Sequence, residues 1–261
     1  MPRRKIHSNS NGNEDACVKP EGFTGRQVID LLEKSGLEIR EEDYVSLVSK
    51  KLDGNPFAFL IAIIISQNTT DKAAIRAYKR LHSLARGKIV PEKMVSLGPE
   101  LIEFALHPAG LARQKSDSIY NISRKLIELG GEKVLSESDP KKLREILKSL
   151  PGIGDKTIDV YLSQMRGENV FAVDTHARRI AHRWCLTKSR SYRVISQVLT
   201  DFFKGEDLVK AHKLLIALGR KWCKAKKPRC EECPLREICP YAAQRLSYTT
   251  RQARSTGQNK K

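Results

Sequence analysis

The sequence is poor in aromatic residues and in long apolar runs. Only 6% of its 261 residues are Phe, Trp or Tyr, with two Trp, so its core has to be built from Leu, Ile, Val and Ala. The longest apolar run covers residues 57–65, less than half of the ~20 residues that a membrane-crossing helix needs. No membrane partner is expected. The basic start, Met1-Pro-Arg-Arg-Lys-Ile-His, leads into polar residues and lacks the apolar segment of a secretory signal. Six cysteines are too few for a disulfide scaffold, and four of them fall within residues 223–239, the pattern of a metal site in a reducing compartment. Acid is also scarce. Against 48 Lys plus Arg stand 30 Asp plus Glu, leaving +18, an excess that attracts polyanions and makes nucleic acid the natural partner.

What is present reads as helix throughout. Thr24 is placed to cap a helix through Val28, Leu31 and Leu32, and Pro56 to open a strongly apolar helix buried all round. Further helices are predicted from Asp71, after Pro91 and Pro99, from Leu111 or Lys115 to the Gly130-Gly131 pair, and from Asp139-Pro140 to near Ser149. Four more follow at roughly 154–166, 174–185, 191–203 and 207–222. No strand pair and no fixed-period repeat is apparent, so the fold class is all-α. Residues 1–20, rich in Asn, Ser and Gly, read as a disordered polar arm, and residues 242–261, with five basic residues and no acid, as a mobile basic tail.

Three motifs carry chemistry. In Leu150-Pro-Gly-Ile-Gly-Asp-Lys-Thr one helix ends, Gly152 and Gly154 make a tight turn, and a second helix begins. Backbone N–H groups at such a helix start, aided by its dipole, can hold a phosphate; an ordinary helix–helix turn would use the same glycines. Lys156 lies in the first turn of that second helix. A neutral amine there can attack a sugar carbon and form a Schiff base, whereas a protonated one would only contact phosphate. Asp174, in Phe171-Ala-Val-Asp-Thr-His, is placed to cap a helix, a role compatible with catalysis because a capping carboxylate is held rigidly. His176 is expected to pack or hydrogen-bond, and Arg178 and Arg179 to meet phosphate or solvent. The third motif, Cys223-x6-Cys230-x2-Cys233-x5-Cys239, can wrap one metal centre. Its single close pair and wide first loop suit a four-iron cluster better than zinc. Cys17 and Cys185 are expected to be unliganded thiols.

These motifs, in this order, resemble the endonuclease III family of helix-hairpin-helix DNA glycosylases, over about residues 24–241. The resemblance implies two helical domains flanking a DNA-binding groove. Residues 49–167 would form a six-helix barrel with the hairpin near 143–160, and residues 21–48 plus 168–241 a four-helix cluster domain. It implies Lys156 as the Schiff-base lysine, Asp174 as the catalytic aspartate, and Cys223, Cys230, Cys233 and Cys239 as ligands of one [4Fe-4S] cluster. Asn68, in Ser66-Gln-Asn-Thr-Thr-Asp, would fill the gap left by an extruded base, and Leu111, in His107-Pro-Ala-Gly-Leu-Ala, would wedge the duplex. Asn68 could otherwise cap the next helix, and Leu111 could belong to the core.

The implied activity is a DNA glycosylase/AP lyase of base excision repair that removes oxidised pyrimidines of the thymine glycol type and cuts 3′ to the abasic site by β-elimination. The implied partner is double-stranded DNA containing damaged bases or abasic sites, met by a monomer in a prokaryotic cytoplasm rather than a nucleus. Lys156 argues against the adenine-removing and thymine-mismatch relatives, which generally lack it; a mismatch uracil/thymine glycosylase and a non-catalytic DNA-binding iron–sulfur protein are the alternatives.

Overall fold

The computed structural model describes residues 22–246, and every regular element among them is helical. The expected arm at 1–20, Cys17, and the basic tail from 247 onward lie outside the described residues. The helices are α1 (Gly25–Lys34), α2 (Val45–Leu52), α3 (Pro56–Ser66), α4 (Asp71–Leu84), α5 (Pro91–Leu106), α6 (Ala112–Glu128), α7 (Lys133–Glu137), α8 (Pro140–Ser149), α9 (Asp155–Arg166), α10 (Thr175–Arg183), α11 (Tyr192–Phe202) and α12 (Leu208–Lys221). A last helical turn covers 240–246. Ala242 is buried in it, so the stretch expected to be tail has an apolar partner at its start.

Two hydrophobic cores form. The first is organised around α3, in which every residue from 57 to 65 is buried. Asn55 caps this helix by accepting from Ala58 N at 2.6 Å, Pro56 occupies its first turn, and the amphipathic helices α2, α4, α5, α6, α8 and α9 cover it. Within α5 the helix breaks at Gly98 (φ 74°) just before Pro99, because proline cannot donate to the ladder and crowds the preceding turn.

The second core joins the two ends of the described chain. Val28, Ile29 and Leu32 of α1 pack with Ile180 of α10, Leu199 of α11 and Leu218 of α12, and with Trp184 and Phe203, which follow α10 and α11 directly. Phe23 meets Trp184 edge to face at 5.4 Å between ring centroids. Gly25 lies so close to Phe202 and Phe203 that a β-carbon there would collide with the α11 backbone. The chain therefore starts in one core, builds the other, and returns.

Candidate functional site

The hairpin turn is held from both sides. Asp139 caps α8 by accepting from Lys141 N and Lys142 N at 3.0 and 3.1 Å. Gly152 has φ 76°, and a β-carbon on it would stand 2.9 Å from Ser118 Oγ, so both conformation and space require glycine. Gly154 differs: it caps α9 with ordinary dihedrals (φ −105°), and a β-carbon there would meet nothing within 4 Å. Ile158 N–H makes the bond to Gly154 O, which leaves the amides before it at an exposed, electropositive helix start.

Two loops flank the hairpin. Gln67 donates to Gly152 O at 3.1 Å and to Thr157 Oγ1 at 3.2 Å, tying the loop before α4 to the turn. Next to it Asn68 is exposed with φ 52°. Asn68 is not the cap of α4, because Thr70 accepts from Ala73 N at 3.3 Å. Leu111 is not core either: it is 54% exposed with φ 50°, an unfavourable conformation for a branched residue. Lys115, 4% exposed, donates to Ile65 O at 2.8 Å and to Ala109 O at 3.1 Å. One buried ammonium thus staples the loop carrying Asn68 to the loop carrying Leu111.

Between the two cores a cavity is lined by Tyr44, Ser66, Asp71, Lys156, Gln164 and His212, among others. Lys156 reaches it from the exposed first turn of α9. Asp174 caps α10 through a 2.7 Å bond from Ala177 N to its Oδ1. Asp174 and Lys156 both act electrostatically on His176 and on His212, which places the two charges near the same pair of imidazoles. His212 is buried on α12, and burial holds its imidazole at about 4. Its Nε2 and the Oε1 of Gln164 are buried without a hydrogen-bond partner. Burial raises the Tyr44 hydroxyl to about 12, against the pull of Arg220, and Arg220 is itself paired with Asp71 at 2.5 Å.

Tyr44, Gln67, Gln164 and His212 were not singled out from sequence. His176 packs as expected, bonded through Nδ1 to Arg179 at 3.0 Å. Arg179 also donates to Cys223 O, and Arg178 to Arg190 O, so backbone carbonyls hold both guanidiniums that were expected to meet phosphate or solvent.

The four cysteines of the C-terminal motif are free thiols lining one cavity with Trp184, Leu218, Trp222 and Leu235. Burial pushes Cys233 up to about 12 and raises Cys230 and Cys239, so thiolates there need a cation. Among the described residues no three His, Cys, Asp or Glu side chains lie close enough to hold a single ion. Four thiols around one shared cavity fit the ligand set of a multinuclear cluster. Arg183 donates to Cys223 Sγ at 3.1 Å and stacks on Tyr241 at 4.5 Å, supplying positive charge beside these sulfurs. Cys185, expected as a thiol, is disulfide-bonded.

Residues 61–204 match the HhH-GPD superfamily of base excision DNA repair proteins, and residues 223–239 the iron–sulfur binding domain of endonuclease III. Endonuclease III of Sulfolobus acidocaldarius is 37% identical over 220 residues, covering 82% of this chain and 97% of the relative. The chain belongs to the endonuclease III family. It is a DNA glycosylase/AP lyase of base excision repair with a [4Fe-4S] cluster.

Endonuclease III of Escherichia coli is 32% identical over 187 residues, 72% of this chain and 84% of that one. A trapped endonuclease III–DNA covalent intermediate superposes with a TM-score of 0.69 at 29% identity, covering 86% of this chain and 99% of the other. A thermostable thymine-DNA glycosylase at 16% identity, with a TM-score of 0.67, shares the fold. No described helix is long and apolar enough to cross a membrane.

Proposed function

We propose that this member of the endonuclease III family excises oxidised pyrimidines from double-stranded DNA through an imine on Lys156, with Asp174 as its partner. The observation that carries this reading is the convergence at the junction of the cores: Lys156 lines the cavity, and its charge and that of Asp174 meet on the same two histidines. A relative of the same fold has been trapped as a covalent DNA intermediate, which supports a nucleophilic side chain over a purely hydrolytic one.

DNA would lie across the exposed start of α9, with the amides around Gly152 and Gly154 gripping backbone phosphate. Asn68 and Leu111, on loops stapled by Lys115, would fill the space left when the damaged nucleotide leaves the stack, a step costing a few kcal/mol that damage reduces. Asp174 accepts the ammonium proton of Lys156, gives it up to the departing base, and as a carboxylate again faces the positive charge on the sugar. Lys156 Nζ then bonds to C1′ as the C1′–N bond to the base breaks, and the base leaves with the electron pair and takes up a proton. Opening of the sugar gives the imine. Loss of a C2′ proton breaks the C3′–O bond on the 3′ side, and water releases the product and restores Lys156.

The thiolates of Cys223, Cys230, Cys233 and Cys239 would hold the cluster, which would cross-link the basic loop with exposed Lys221, Lys224, Lys226 and Lys227. Two bodies are proposed, close to but not at the bounds expected from sequence (21–48 plus 168–241, and 49–167): Val45 and Val48 of α2, together with Val170 and Ala172, pack with the first core, while α1 and the chain from Phe171 to Leu235 supply the second. A monomer is the proposed working unit.

The test is borohydride trapping on a thymine-glycol duplex beside an undamaged one. A lesion-dependent adduct is expected from the wild-type holoprotein. Lys156→Ala should bind the duplex as before while losing both adduct and strand cleavage; an adduct that persists in that variant would overturn the assignment.

A further inference from the structure

The approach of Asp174 to Lys156 has to be set across a boundary, because Lys156 stands on α9 of the first core and Asp174 precedes α10 of the second. The stretch 171–174 has no strand neighbour to fix it. Its backbone groups are held instead by side chains of α11 at every fourth residue. Thr200 Oγ1 accepts from Phe171 N at 3.1 Å, Ser196 Oγ donates to Phe171 O at 2.7 Å, and Tyr192 Oη accepts from Val173 N at 3.2 Å. Residues spaced by four share one helix face, so a polar stripe on α11 replaces a sheet ladder.

Tyr192 continues the connection. Its hydroxyl donates to Asp159 Oδ2 at 2.8 Å, while Asp159 Oδ1 accepts from Arg144 of α8 at 2.5 Å. Asp159 is only 2% exposed. A carboxylate that deep is costly unless both oxygens are paired, and here each has a partner in a different body of the protein. Asp159 also lies three residues after Lys156, one turn further along α9. The hydrogen-bonded path therefore runs from the helix carrying Lys156, through Asp159 and Tyr192, to the N–H of the residue before Asp174. This path joins the two sides of the proposed reaction centre without including either reacting group.

We infer that Asp159 and Tyr192 are positioning residues that set Asp174 against Lys156 for imine formation. This rests on the reading of Lys156 and Asp174 as the reacting pair. The pairing also gives these two side chains a directional role: a Leu–Phe contact would close the same space without fixing the direction of the Val173 amide. Burial raises both the Tyr192 hydroxyl and the Asp159 carboxyl above their ordinary ranges, so the phenol stays a donor throughout the working pH range.

The experiment is single-turnover borohydride trapping by the holoprotein at saturating abasic-site duplex, with duplex affinity measured alongside. Tyr192→Phe keeps the ring and removes the hydroxyl. It should slow adduct formation about tenfold and leave the dissociation constant within twofold. In an Asp174→Asn background the same change should cost no further rate, because positioning a group that no longer acts has no value. Asp159→Asn, which retains an oxygen for the Tyr192 donor, should keep several-fold more activity than Asp159→Ala. An unchanged rate in Tyr192→Phe, an equal loss in both Asp174 backgrounds, or equal loss in the two Asp159 variants would each overturn the inference. Lys156→Ala run in parallel separates the two questions: an adduct there refutes the reaction centre itself, whereas its absence together with a fully active Tyr192→Phe refutes only the positioning role.

Discussion

The ring of His176 lies across Gly219, with Nδ1 and Cγ standing where a β-carbon on residue 219 would be. Helices α10 and α12 approach each other through this missing side chain. Gly219→Ala should therefore destabilise the fold by about 1–3 kcal/mol through overpacking, read in urea unfolding. Gly154→Ala is the contrast, since nothing lies within 4 Å of its added methyl. Its stability should stay within about 1 kcal/mol of wild type, while duplex affinity falls because the methyl intrudes where phosphate approaches. Equal affinity in Gly154→Ala and wild type would remove that turn from the DNA interface.

Lys115→Met keeps most of the side-chain volume and takes away the donor shared by Ile65 O and Ala109 O. Two carbonyls then lack their partner, and a loss of about 2–4 kcal/mol is expected in denaturant unfolding. Excision of a damaged base from the duplex should also fall further than strand cleavage at a preformed abasic site, as the two loops lose their fixed spacing. A fall in stability with an unaltered ratio of the two rates would mean that the staple serves the core alone.

Leu111 offers a cleaner separation of stability from function. Glycine accepts φ 50° without the strain that Leu bears, so Leu111→Gly should stay within about 1 kcal/mol of wild-type stability. Excision from a fully paired duplex should nonetheless drop about tenfold, measured under single turnover. An undiminished rate would exclude Leu111 as a wedge.

His212 gives a pH prediction. Burial holds its pKa at about 4, below the ordinary 6.5, with Asp174 opposing and Lys156, Lys213 and His176 adding to the shift. Between those two values the unfolded chain binds a proton that the folded chain does not. Stability is therefore complete above about pH 6.5, is lost as pH falls toward 4, and changes no further below that on account of this group. Between pH 7 and pH 5 the loss should be about 2 kcal/mol. His212→Gln should flatten that part of the profile, followed by tryptophan fluorescence in urea; an identical slope in the variant would assign the acid sensitivity elsewhere.

Much of this was legible because the informative residues are close in sequence. The hairpin, Lys156 and the four cysteines lie in contiguous motifs, and α3, α6, α8 and α9 announce themselves by proline, capping residues and period. Besides the helical segment at 240–246, two helices went unseen: α2, whose first residue follows Tyr44 without a side-chain cap, and α7, which has only five residues. Both are too short to show a period and are held by tertiary packing. The remaining lining of the cavity was hidden for another reason. Tyr44 precedes α2, and Gln164 and His212 belong to α9 and α12; they are brought together only when the two cores meet, and nothing in their local sequence marks them. Tyr192 shows the same thing in sharper form, since a tyrosine at a helix start looks like surface until its hydroxyl is seen between Asp159 and Val173. The disulfide bond at Cys185 was missed because sequence spacing says nothing of a pairing made through space.

The return of the chain to its starting core has a consequence for biosynthesis. Residues 45–162, almost the whole of the first core, are contiguous and can collapse while the ribosome is still extending the chain. Helix α1 emerges earlier but must wait for Leu199, Phe203 and Leu218, a delay of roughly 10–40 s at ordinary elongation rates of about 5–20 residues per second. During that interval the apolar face of α1 has no native surface to cover it. The order of emergence thus exposes the first helix to chaperones and to wrong partners, and a circular permutant that joins the ends and opens the chain within the first core would exchange that waiting period for one in the barrel.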